Sequence, residues 1–304
     1  MIELLTTLGG RLSQRWLTTL LAPGLLFVAA VAVAARLGHA HALAIQRLRD
    51  DIVAVADHPA GRSSAVVLLV TAAVLVAAAT AGLVAASLGG AVERMWLLPG
   101  RRQPLRSVRA WRLRRWRAAD AGVVALVAGV RLDEHADTVV IPGLAEALAR
   151  RDAICLVEPE RPTWIADRLR ALGERIHLTY GLDLTAAWPR VWSLAPADLR
   201  TDVIAAHEAY SAAARLAGWS LLYAVLAAWW WPSSVVAAVL FGAAWMRARS
   251  ATGGLAELVE STVDLHGREL AARLGVECGG PLTVEVGEEV TVRLRKDQGI
   301  GGRG

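Results

Sequence analysis

Residues 65–92 read AVVLLVTAAVLVAAATAGLVAASLGGAV, and none of them carries a charge. A helix rises about 1.5 Å per residue, so this run covers the ~30 Å hydrocarbon core of a bilayer with room for tilt. Small residues recur every four positions at Ala78, Gly82, Ala86 and Gly90. That spacing predicts a groove on one helix face where a neighbouring helix comes close.

Upstream, residues 16–35, WLTTLLAPGLLFVAAVAVAA, form a second uncharged block of spanning length. Pro23-Gly24 is expected to kink it, and Trp16 stands where an interfacial anchor belongs. The block starts only after Arg11 and Arg15 and lacks a small-residue cleavage site, so it does not read as a cleavable signal peptide. Residues 36–64 join the two blocks as a mixed polar loop. Its His39-Ala40-His41 lacks the further ligands a metal site needs.

Downstream, residues 216–231 and 235–246 make a tight apolar pair around Pro232-Ser233-Ser234. Trp229, Trp230 and Trp231 suit the far interface, and Arg215 can snorkel to the headgroups. Each arm is short, so a re-entrant hairpin competes with full spanning. Arginine flanks set the orientation. Arg11 and Arg15 precede the first block, a dense basic run follows the second, and Arg247 and Arg249 follow the fourth. All these ends are expected in the cytoplasm.

The expected fold class is therefore an all-α integral membrane protein. Four transmembrane helices form two hairpins with a small α-helical cytoplasmic domain between and after them. The divisions are a cytoplasmic N-terminus (1–15), hairpin 1 (16–92), a cytoplasmic helical domain (93–211), hairpin 2 (212–247) and a cytoplasmic helix and tail (248–304). The expected location is the cell membrane, multi-pass, with both termini inside. Composition agrees: 55% hydrophobic residues and mean hydropathy +0.41 coexist with 20% charged residues, so apolar material is segregated into blocks. Lys296 is the single lysine among 33 basic residues, a skew that reflects codon usage before chemistry. Cys155 and Cys278 are far apart without a CxxC partner, and both fall in segments read as cytosolic.

The most basic stretch, Arg101, Arg102, Arg106, Arg109, Arg112, Arg114, Arg115 and Arg117 with Trp111 and Trp116, directly follows a span. It reads as a topology determinant and lipid-headgroup contact. Arg109 and Arg112 interrupt the apolar arc of Leu105, Val108 and Trp116, so amphipathicity is weak. Residues 121–130 are apolar but too short to span, and are expected to pack inside the soluble domain. Asp133-Glu134-His135 reads as a turn.

From Thr163, a candidate N-cap, Ile165, Leu169, Leu172 and Ile176 recur at helical spacing, and Gly181 can supply a helix stop. Trp188-Pro189-Arg190-Val191-Trp192 reads as an aromatic turn. Tyr180, Asp183, Trp188, Arg190 and Trp192 form a candidate interaction motif, whose more ordinary reading has the tryptophans packing and Asp183 paired with Arg190. One continuous helix is expected over 198–231. Residues 250–254 read as flexible, 255–274 as an amphipathic helix, and the alternation of LTVEVGEEVTVRL at 282–294 as a short hairpin around Gly287.

The run Pro162-Thr163, Leu169-Arg170, Arg175-Ile176, Tyr180-Gly181-Leu182-Asp183 and Trp188-Pro189-Arg190-Val191-Trp192 resembles a set of uncharacterised bacterial multi-pass membrane proteins of high-GC Gram-positive type. Their PT…LR…RI…YGLD…WPRLW signature precedes a Trp-rich hairpin and a helix with Asp-Leu-His, here Asp264-Leu265-His266. The similarity covers roughly residues 160–275. It implies the architecture and no activity.

No GxSxG, P-loop or HExxH pattern is present, so neither enzymatic activity nor a cofactor or metal is expected. The blocks contain no ionisable residue of the kind that lines a transport pathway. The expected function is a membrane-anchored scaffold or signalling accessory that presents a helical domain to a protein partner or to its own copy. An oligomeric pore-forming effector is the alternative, and a channel or transporter component a further one. The bilayer is the first partner, with nucleic acid and small-molecule substrates not expected.

Overall fold

The computed structural model describes residues 21–44, 46, 49, 64–100, 103–129 and 141–296. All regular structure among the described residues is α-helical: α1 (Ala22–Leu37), α2 (Ser64–Trp96), α3 (Leu105–Ala128), α4 (Leu144–Ile154), α5 (Trp164–Tyr180), α6 (Leu184–Leu194), α7 (Ala197–Leu226), α8 (Pro232–Arg273) and α9 (Val284–Arg295). Residues 16–20 of the first apolar block and the cluster Asp133-Glu134-His135 lie outside the described residues.

The start of α5 follows its chemistry. The Thr163 hydroxyl accepts the Ala166 amide at 3.1 Å, and Gly181 closes the helix in the left-handed region at φ 68°. Pro23 falls near the start of α1 as described, and the residues upstream that would show a kink lie outside the described residues. Several expectations are corrected. Residues 188–192 are not a turn but the second half of α6, which begins on the Asp183 cap and absorbs Pro189 at the loss of one amide donor. Residues 250–254 are not flexible. Ala248, Thr252 and Ala256 are all buried, and their packing carries α8 straight through Gly253-Gly254. The 282–294 segment is not a hairpin. Thr283 caps it, Glu285 and Arg293 suit the helix dipole, and Gly287, Val290, Thr291 and Leu294 make one buried helical stripe. Residues 121–128 continue α3.

The chain folds as two compact units. The first comprises residues 1–93 and 211–247, the second 94–210 and 248–304. Within the first, backbones meet at glycine: a Cβ on Gly24 would stand 2.2 Å from the Ala78 carbonyl oxygen, and one on Gly218 would stand 2.1 Å from that of Ala85. Phe27 packs edge-on against Tyr223, with centroids 5.3 Å apart. The Trp230 indole donates to the Ala42 carbonyl at 3.0 Å, and His39 Nδ1 lies 3.0 Å from the Trp229 carbonyl. The buried residues of α2 here are Ala78, Gly82, Ala85, Gly89 and Val92. Steps alternate four and three because the helix turns every 3.6 residues; a strict step of four, as in the expected Ala86 and Gly90, drifts off the face.

Among the described residues α2 alone is long and apolar enough to cross a membrane, and only 11% of its most apolar stretch is buried; α1 is apolar but shorter. The second unit has its own core, in which Leu172 and Ile176 of α5, Val191 of α6, Val259, Val263 and Leu270 of α8, and Val290 of α9 pack together.

Candidate functional site

The basic stretch folds into α3 and splits by helical phase. Arg101 and Arg102 lie outside the described residues. Arg106, Arg114 and Arg115 face solvent, and the Arg115 guanidinium stacks 5.0 Å from the Trp111 ring centre. Arg109 is half-buried, and Arg117 pairs with Glu158 at 2.7 Å. Arg112 is turned inward and only 8% exposed, so as a headgroup contact it is corrected. The interruption of the apolar arc at Arg112 thus marks a buried charge.

Its partner is Asp167 in the first turn of α5, which is 0% exposed. Arg112 Nη1 donates to Asp167 Oδ2 and to the Arg161 carbonyl at 2.7 Å, and Nη2 donates to the Ile154 carbonyl at 3.2 Å. Asp167 Oδ1 accepts the amides of Glu160 at 3.0 Å and Arg161 at 2.8 Å. One carboxylate therefore organises the 155–163 loop and ties it to α3. Trp116 adds a bond from its indole to the Cys155 carbonyl at 2.9 Å. In the sequence Asp167 looks like an ordinary acid favouring a helix N-terminus, and nothing local announces its partner.

More guanidiniums crowd this region. Arg170 donates to Glu174 at 2.6 Å and to the Glu158 carbonyl at 2.6 Å. Arg249 of α8 lies over Trp164, 4.6 Å from the ring centre, and donates to the Ala153 carbonyl at 3.4 Å. Burial and then the like charge of Arg112 push the Arg249 pKa down. Burial and the Asp167 charge push the Cys155 thiol up, so it stays protonated and unreactive at neutral pH.

The candidate interaction motif lies at the α5–α6 corner. The Tyr180 hydroxyl donates to Asp264 of α8 at 2.8 Å, which together with burial raises its pKa. Asp183 caps α6 through the Thr185 amide at 2.9 Å and pairs with Arg295 of α9, whose Nε donates at 2.9 Å. It does not pair with Arg190, which is exposed and donates to the Ala186 carbonyl at 2.8 Å within its own helix. Trp188 and Trp192 are half-buried, with ring centres 5.7 Å apart. Thr291 of α9 accepts the Asp183 amide at 3.0 Å and donates to the Gly181 carbonyl at 3.1 Å. Tyr180 and Asp183 are thus brought together as a structural joint, and Arg190 is left outside it.

Among the described residues no three of His, Cys, Asp and Glu gather as a set that could hold a metal ion. The chemistry this region offers is the recognition of negative charge by a partly buried arginine cluster. No protein-family model, curated protein or solved structure matches the chain.

Proposed function

We propose that the chain is a multi-pass membrane protein of the cell membrane, with four spans, both termini in the cytoplasm, and a helical second unit that serves as a scaffold or signalling accessory at the inner face. The observation that supports this is the surface of α2. Val67, Leu68, Leu69 and Val76 are 51, 71, 71 and 66% exposed, on a helix that is apolar all round. In water such a surface drives aggregation; in hydrocarbon it is the ordinary condition of a helix whose backbone bonds are satisfied internally. Val225, Val239 and Met246, at 64, 65 and 67% exposure, extend the same character to α7 and α8. The outward arginines of α3, with Trp111 among them, suit anionic headgroups.

Interaction is favoured over catalysis because the buried Arg112–Asp167 pair and the Tyr180, Asp183 and Thr291 contacts are spent on holding helices together. Single cysteines placed in 36–63 are expected to react with an impermeant maleimide on intact cells, and those in 103–129 only after lysis. Labelling of 103–129 from outside would overturn the orientation. Release of dye from liposomes by the purified chain would favour the pore-forming reading instead.

A further inference from the structure

Helices α5 and α8 meet in parallel order: Trp164 with Arg249, Arg168 with Glu257, Arg175 with Glu260, Tyr180 with Asp264. At the last two levels the contacts are short, 2.7 and 2.8 Å. At Arg168 they are not. Its side chain is 9% exposed, yet Nη1 has no hydrogen-bond partner among the described residues. Its acid, Glu257, is 3.8 Å away, beyond hydrogen-bond range, and 77% exposed, so solvent screens it. One helical turn beyond Arg249, Thr252 is 1% exposed and its hydroxyl is likewise without a partner among the described residues. Along α8, Thr252 falls between Arg249 and Glu257, which meet Trp164 and Arg168 of α5.

The neighbouring buried carboxylate offers no relief. Asp167 is already occupied by Arg112 and two backbone amides. A buried guanidinium whose counter-charge is exposed and beyond hydrogen-bond range is poorly compensated. A water molecule would accept its hydrogen bond but would leave the charge. An oxyanion supplies both, and the planar guanidinium fork suits phosphate oxygens. Arg249, fixed on the Trp164 ring, brings a second positive group to the same seam.

We propose that the α5–α8 seam binds one phosphate-class oxyanion through the Arg168 and Arg249 guanidiniums and the Thr252 hydroxyl. The anion is either free phosphate or the phosphomonoester headgroup of a lipid. The site goes beyond the anchoring role and does not depend on it: an empty seam would leave the topology untouched, and a reversed topology would leave the seam.

The test is calorimetric titration of the full chain in a neutral detergent at about 0.15 M salt, where loose surface attraction is screened. Inorganic phosphate is one probe; dihexanoyl phosphatidic acid, against dihexanoyl phosphatidylcholine as control, is the other. Saturable binding of one equivalent is expected, at least tenfold weaker in Arg168→Gln and several-fold weaker in the near-isosteric Thr252→Val. Equal affinity for the two probes identifies free phosphate as the ligand; tighter binding of phosphatidic acid identifies the headgroup. If Arg168→Gln does not fold, Thr252→Val and the half-buried Arg249→Gln decide. Absence of saturable binding by both probes, or binding unchanged in the folded variants, would overturn the proposal.

Discussion

Arg112 and Asp167, separated by 55 residues of sequence, form a salt bridge in which the arginine is 8% and the aspartate 0% exposed. Burying such a pair gains little over a well-packed apolar pair, but breaking it strands a charge. Asp167→Ala is therefore expected to destabilise the second unit by about 3–5 kcal/mol. The double variant Arg112→Met with Asp167→Leu should be markedly milder than Asp167→Ala, since no charge is left unpaired. Denaturant unfolding of the full chain in detergent, followed through tryptophan fluorescence, compares them. A double variant as unstable as Asp167→Ala would mean that the loop amides, rather than Arg112, dominate.

The docking of α9 rests on two glycines. A Cβ at Gly287 would stand 1.6 Å from the Tyr180 carbonyl oxygen, and Gly181 holds φ 68° with its own Cβ position 2.2 Å from the Val284 carbonyl. Gly287→Ala is expected to release the helix and open the 276–283 linker to limited proteolysis. Gly279→Ala, where an added Cβ meets nothing within 4 Å, is the matched control and should digest like the wild type. Equal digestion of the two variants would contradict a tight seam.

Acid should loosen the same contact. Burial acts to raise the Asp183 pKa, but hydrogen bonds from Arg295 and the Thr185 and Ala186 amides outweigh it and hold the carboxyl below its usual 3.8. A folded-state pKa depressed in this way gives stability that is complete above the unfolded value and lost as pH falls through the folded one. Hydrogen exchange in α9 should thus be flat from neutral pH to about 5, after correction for intrinsic rates, and rise at lower pH. Asp183→Asn should raise exchange at neutral pH and flatten that acid limb. A limb that persists in the variant would point to another carboxylate.

Within the first unit, Gly218 allows α7 to lie backbone to backbone on α2 at Ala85 and Gly89. Gly218→Val is expected to lower the thermal midpoint by several degrees or abolish recovery of folded protein. Gly90→Ala, with nothing within 4 Å of the added carbon, should leave both unchanged. Comparable losses in the two would mean that small-residue packing does not hold this pair.

Periodicity and caps made α5 readable in advance: Thr163 and Gly181 bound it, and Ile165, Leu172 and Ile176 line its buried side. The all-helical class was likewise legible, because long uncharged runs admit little else. What misled were short segments whose local pattern competes with packing. Val284, Val286, Val290 and Val292 alternate like a strand, yet the buried stripe runs through Gly287, Val290, Thr291 and Leu294, since Gly287 lets a helix settle on Tyr180. Gly253-Gly254 looked like a break, but Thr252 and Ala256 are held in the core on either side. The arginine cluster was half-visible. Arg112 stood out for spoiling an apolar arc, but Asp167, Trp164 and Arg249 come from distant segments, and no spacing rule links them.

The order of synthesis matters for the second unit. Val290 and Leu294 close a core whose other walls, α5, α6 and α8, leave the ribosome earlier. Domains generally form as units once their residues are available, and uncovered apolar surface invites aggregation in the interval. Until residue 294 emerges, Ile176, Leu182 and Val191 have no lid. Ribosomes stalled or chains cut before residue 284 should therefore yield a product that chaperones hold and proteases clear, even though every helix of the first unit is already made.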